Sequence, residues 1–113
     1  MSRFTPKQLG IIVLTAVTAL IHLFLGFSSL GDGFFGILFL LNGLAYLALL
    51  AGLYFIPQLA GQRPLIRWAL LGFTAVTFVL YFVFNWPEVW GVVGIITKAV
   101  ELVLIILLLL DKE

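Results

Sequence analysis

The chain has 113 residues, 64% of them hydrophobic and 10% charged, with a net charge of +1 and a mean hydropathy of +1.27. A soluble domain of this size is about half apolar and a quarter charged, and must present much of its surface to water. The composition therefore excludes an ordinary soluble enzyme and a disordered chain. With six basic residues against five acidic, it also excludes a nucleic-acid binder. Cysteine is absent, which removes disulfides, thiolate metal ligands and thiol nucleophiles.

Crossing a bilayer takes roughly 20 mainly apolar residues in a helix. Four stretches qualify, at about 9–27, 34–56, 65–84 and 91–110. The first stops at the Gly/Ser turn from Ser28 to Gly33. The second stops at Pro57 and the polar segment Gln58 to Pro64. The third stops at Asn85-Trp86-Pro87-Glu88, and the fourth at Asp111-Lys112-Glu113. Pro64 and Pro87 each precede a span, where a missing N–H is tolerated. The runs are about twice the length of a barrel strand and do not alternate, so helices are expected. Span one has a basic start, but its apolar run is longer than a signal core and Phe27-Ser28-Ser29 is a poor cleavage site, so it reads as an anchor. The expected fold is an all-α integral membrane four-helix bundle, one four-span domain over residues 1–113.

Arg3 and Lys7 precede span one, Arg63 and Arg67 flank the start of span three, and Lys112 follows span four. The other two loops hold only Asp32 and Glu88. The positive-inside rule then expects a multi-pass cell-membrane protein with both termini and the middle loop in the cytoplasm. Trp86 and Trp90 fall where an outer aromatic belt would lie, with Trp68 and Tyr54 near the inner one.

Polar residues within the spans are few and regularly spaced. Span one carries Thr15, Thr18 and His22; span three carries Thr74, Thr77 and Tyr81 at the same intervals, then Asn85. Span two carries Asn42 and Tyr46, and span four Gly94, Thr97, Lys98 and Glu101. Each set lies on one helix face, which lipid rejects, so each is expected to face the bundle interior or a protein partner. A rise of about 1.5 Å per residue places His22, Asn42, Thr77, Tyr81 and Lys98 in the outer half of their spans, with Tyr46 and Glu101 near the middle. Thr15-Ala16-Val17-Thr18 with His22 is echoed by Thr74-Ala75-Val76-Thr77 with Tyr81. This fits either chance or a parallel two-helix repeat about the membrane normal; spans two and four show no convincing alignment.

The candidate intramembrane polar or ion-relay residues are therefore Thr18, His22, Asn42, Tyr46, Thr77, Tyr81, Lys98 and Glu101. Lys98 and Glu101, three apart, can meet on one face, as a proton or ion relay or as a local ion pair. His22 can ligate a haem or pigment, or bond to a hydroxyl across the bundle. No His/Cys/Asp/Glu cluster has metal-site spacing, so neither a metal nor a resident cofactor is expected.

Ile21-His22-Leu23 with Gly26, Phe73-Thr74-Ala75-Val76 and Lys98 resemble a group of small four-helix prokaryotic membrane proteins, mainly haloarchaeal, without assigned function. The resemblance covers nearly the whole chain and implies a four-span fold, not an activity. With no nucleophile–base pair or phosphate loop, no catalysis is expected. The expected role is a structural or accessory subunit, packed against lipid and against further copies or other membrane subunits. The alternative is a small homo-oligomeric ion- or proton-coupled transporter or channel using the polar layer.

Overall fold

A computed structural model describes residues 4–88 and 90–111. Arg3 and Lys112 of the charge argument, with Val89 and Glu113, lie outside the described residues. Thr5 starts the first helix, α1 (Pro6–Ser28): its hydroxyl accepts from the Gln8 N–H at 3.2 Å, its own N–H donates to Gln8 Oε1 at 3.2 Å, and Pro6 sits in the first turn. After a short turn at Leu30–Asp32, Gly33 takes a positive φ of 66° and reverses the chain. Next comes α2 (Phe34–Leu50), which runs on as a π-helical turn over Ala51–Phe55. Pro57 has no N–H for the Leu53 carbonyl, and Arg63 Nε donates to it instead at 2.9 Å. A 3₁₀ stretch (Pro57–Gln62) leads into α3 (Arg63–Asn85), and α4 (Val92–Leu110) completes the chain.

Among the described residues there is no strand, and the four helices are each long and apolar enough to cross a membrane. The expected spans are met with small shifts. The polar segment after Pro57 is helical rather than a loop, because an exposed 3₁₀ turn satisfies its backbone. Pro64 does lie in the first turn of α3. Pro87 does not open α4; it belongs to the connecting turn, and α4 starts at Val92.

The helices form a ring in chain order. α1 packs on α2 and α4, α3 packs on α4, and the α2–α3 seam is the loosest. The bundle measures 41 × 25 × 23 Å. Close approach of α1 and α2 depends on glycine: a Cβ at Gly43 would lie 2.8 Å from the Ala19 carbonyl oxygen. Toward the end that carries the termini, Ile11, Leu50, Leu70, Leu104 and Leu108 fill the interior. The basic residues there close helix ends. Lys7 Nζ donates to the Leu110 carbonyl at 3.0 Å and Arg67 Nη1 to the Leu108 carbonyl at 2.9 Å. Tyr54, expected in an aromatic belt, is instead buried. It packs edge-on against Phe4 and its hydroxyl donates to Asp111 at 3.3 Å, because the π turn rotates it inward.

Gly43→Ala is expected to cost about 1–3 kcal/mol, because backbone cannot yield to the new methyl. Gly72→Ala, with nothing within 4 Å of the added Cβ, should be neutral or stabilising by up to about 1 kcal/mol. Reversible unfolding in mixed micelles measures both.

Candidate functional site

The polar stripes meet within one chain. Thr18 comes from α1, Tyr46 from α2 and Glu101 from α4, and all three are fully buried. His22, Lys98 and Thr77 are buried beside them, while Asn42 and Tyr81 are half-buried at the edge of the same layer. The structure thus brings together all eight residues singled out from the sequence.

Glu101 is the centre. The Lys98 ammonium pairs with its Oε1 one turn earlier on α4. The Thr18 hydroxyl donates to its Oε2 at 3.0 Å, tying α1 to α4. His22 Nε2 stands 3.9 Å from the same Oε2. The other ring nitrogen, Nδ1, lies 2.8 Å from the Thr18 carbonyl oxygen, which can only accept, so Nδ1 carries a proton. In the neutral ring Nε2 is then a free acceptor.

Aromatic rings enclose the pair. Lys98 Nζ lies 4.9 Å from the centre of the Tyr81 ring and 5.8 Å from that of Phe78. Tyr81 reaches this position because Gly94 has no side chain: its hydroxyl occupies the space a Cβ would take. Tyr46 packs edge-on against Phe73 at 4.8 Å and lies 5.9 Å from the His22 ring. Its hydroxyl lies among those of Thr18, Thr74 and Thr77 without an aligned hydrogen bond. Across the α2–α3 seam, Asn42 Nδ2 donates to Thr77 Oγ1 at 3.0 Å, leaving Asn42 Oδ1 buried without a partner.

The repeat extends further than the sequence suggested. Thr15 and Thr74, Thr18 and Thr77, and His22 and Tyr81 are each 59 positions apart, and so are Asn42 and Glu101. Each member of the last pair bonds the threonine of the neighbouring repeated helix: Glu101 with Thr18, Asn42 with Thr77. At this offset spans two and four share this one polar position, an amide in one and a carboxylate in the other. Comparing amide with carboxylate at the fixed offset would have found this.

Above this layer, toward the α1–α2 turn, lies a cavity of about 570 Å³ lined by all four helices. Its floor carries His22, Asn42, Thr77 and Lys98, and its walls include Phe35, Phe39, Tyr81 and Phe84. The rim residue Asn85 and the buried Thr97, both on the stripes but outside the candidate set, also line it. No group of three or more His, Cys, Asp or Glu able to hold a metal ion occurs among the described residues. No family model, curated protein or solved structure matches this chain.

Removing one partner of the buried pair leaves the other uncompensated. Glu101→Gln and Lys98→Met are each expected to destabilise the bundle by about 3 kcal/mol or more, and the double variant by clearly less than the sum. Unfolding of the four proteins in one detergent provides the cycle.

Proposed function

We propose that this chain is a multi-pass cell-membrane protein, with both termini and the α2–α3 connection in the cytoplasm, that acts as a non-catalytic subunit holding a small guest. The observation that carries the reading is a one-ended cavity. Its floor is the Lys98–Glu101 layer, and below that layer Ile11, Leu50, Leu70, Leu104 and Leu108 fill much of the interior. The polar side chains buried in that half are tied locally, Thr74 to the Leu70 carbonyl, Gln8 to Thr5 and Asp111 to Tyr54, while Thr15 Oγ1 has no partner. A conducting pore would need a continuous polar or wet path through that half. The orientation rests on Lys7, Arg63 and Arg67 sharing one end of the bundle. Outward-facing Leu20, Phe24, Leu41, Val79 and Leu102 suit lipid, further copies or other membrane subunits.

Because the chain has no cysteine, single cysteines report directly on access. Asn85→Cys and Thr97→Cys should react with a membrane-impermeant thiol reagent applied from outside. Gly61→Cys should react only from the cytoplasmic side, and Leu104→Cys from neither. Labelling of Leu104→Cys from either face would replace this reading with a water-filled channel.

A second reading, a small homo-oligomeric ion- or proton-coupled transporter, is favoured by the meeting of His22, Lys98 and Glu101 beside the cavity. It expects a proteoliposome flux that Glu101→Gln and Lys98→Met abolish. The binding-subunit reading expects no flux from the unaltered protein.

A further inference from the structure

We propose that the cavity takes a neutral amphiphile from the membrane whose head is an aromatic ring bearing a hydroxyl, of the phenol or quinol class. This deepens the one-ended cavity reading and rests on it. Four features of the site define the guest.

The first is charge. The Lys98 ammonium and the Glu101 carboxylate cancel each other in direct contact. A guest carrying a carboxylate, phosphate or ammonium would add an uncompensated charge to a poorly solvated site. A neutral head avoids that cost.

The second is hydrogen bonding. The floor offers an acceptor without a donor, His22 Nε2, whose ring partner Nδ1 is engaged with the Thr18 carbonyl. It also offers a donor, because an ammonium has three N–H bonds and Glu101 Oε1 takes one. A hydroxyl both donates and accepts, whereas an ester or ketone oxygen only accepts. A hydroxyl is therefore the head group that serves His22 and Lys98 together.

The third is the wall. Phe35, Phe39, Tyr81 and Phe84 surround a space of about 570 Å³, far more than the roughly 30 Å³ a single water takes. Rings favour offset or edge contacts with another flat ring.

The fourth is the route in. Beside the cavity the α2–α3 seam is bridged by the edge-to-face pair Phe35–Phe84 at 5.7 Å and by the Asn42–Thr77 hydrogen bond, with Tyr46–Phe73 further down. Phe35 and Asn42 are two turns apart on α2, so the bridges stand about 10 Å apart along the helix. Leu80, 40% exposed, lies between them on α3 and lines the cavity. This side window faces lipid, which carries ring-headed amphiphiles and not free polar solutes.

The test is calorimetric titration of the full chain in nanodiscs of zwitterionic lipid with 4-pentylphenol, against pentylbenzene, 4-pentylbenzoate and an alkanol of matched length. The phenol should bind saturably, and each of the other three at least tenfold more weakly. Lys98→Met should weaken the phenol about tenfold. Leu80→Trp alters only the rim, leaves the buried layer intact and fills the space, so it should abolish binding even if Lys98→Met fails to fold. Equal uptake of phenol and pentylbenzene, equal binding of the alkanol, or phenol binding unchanged in Leu80→Trp overturns the proposal. If Asn85→Cys and Thr97→Cys are labelled from outside while the phenol does not bind, the guest class is wrong and the cavity reading survives. If neither cysteine is labelled, the cavity reading itself has failed.

Discussion

An ammonium and a carboxylate buried among four apolar helices set the terms for the rest of this bundle. Neither charge is tolerable alone at that depth, so each side chain around them is constrained. Glu101 needs more than Lys98, and Thr18 supplies a hydrogen bond from α1. Thr18 in turn fixes His22 through its carbonyl. On the other side, Lys98 needs the ring of Tyr81, and Tyr81 needs the bare backbone of Gly94. One chain of contacts thus runs from Gly94 through Tyr81, Lys98, Glu101 and Thr18 to His22. Apolar packing between lipid-facing helices is not selective, because lipid tails are as apolar as leucine. The polar chain is what specifies register between α1, α3 and α4.

The internal repeat explains why the cavity lies where it does. The two halves place the same bond on opposite sides of the ring, but one is a hydroxyl to a carboxylate and the other an amide to a hydroxyl. At the position corresponding to Lys98 the first half carries Phe39. Charge is therefore confined to α4, where α1 and α3 both pack closely. The α2–α3 side is held by a neutral hydrogen bond and two aromatic pairs, Phe35–Phe84 and Tyr46–Phe73, and packs least. Two like bonds with unequal chemistry thus lie on opposite sides of the ring, one in the closer α1–α4 interface and one in the loose α2–α3 seam.

Much of this was legible in the sequence, because lipid makes simple rules strict. The four spans follow from run length, and the inward faces follow from helical spacing of Thr15, Thr18, His22, Thr74, Thr77, Lys98 and Glu101. What spacing cannot supply is helix rotation and vertical offset. Whether the stripes met within one protomer depended on the close approach at Gly43 and Gly26, a property of two helices together. Tyr54 was misplaced for a related reason. A π turn over Ala51–Phe55 ends α2, and it changes which face Tyr54 occupies. The correspondence of Asn42 with Glu101 was hidden because the two differ in charge, although both can bond a threonine.

The basic residues at the terminal end carry two physical roles. As charges near span ends they are the basis of the orientation proposed above. As donors, Lys7 and Arg67 take the last carbonyls of α4, and Arg63 takes the carbonyl that Pro57 orphans. Cations at helix C-termini also oppose the helix dipole. In a ring of alternating helices, α2 and α4 both end on the side where α1 and α3 begin. One end of the bundle thus holds both C-termini that benefit from cations, and it is the end where all three basic residues lie. At the opposite end no basic side chain takes a helix-end carbonyl among the described residues; Asn85 Nδ2 donates to the Tyr81 carbonyl at 2.8 Å, and the Ser29 N–H donates to the Gly26 carbonyl. That asymmetry leaves the cavity's end of the bundle held by fewer side-chain cross-links than the terminal end, which suits a guest that enters beside Leu80 through the α2–α3 seam.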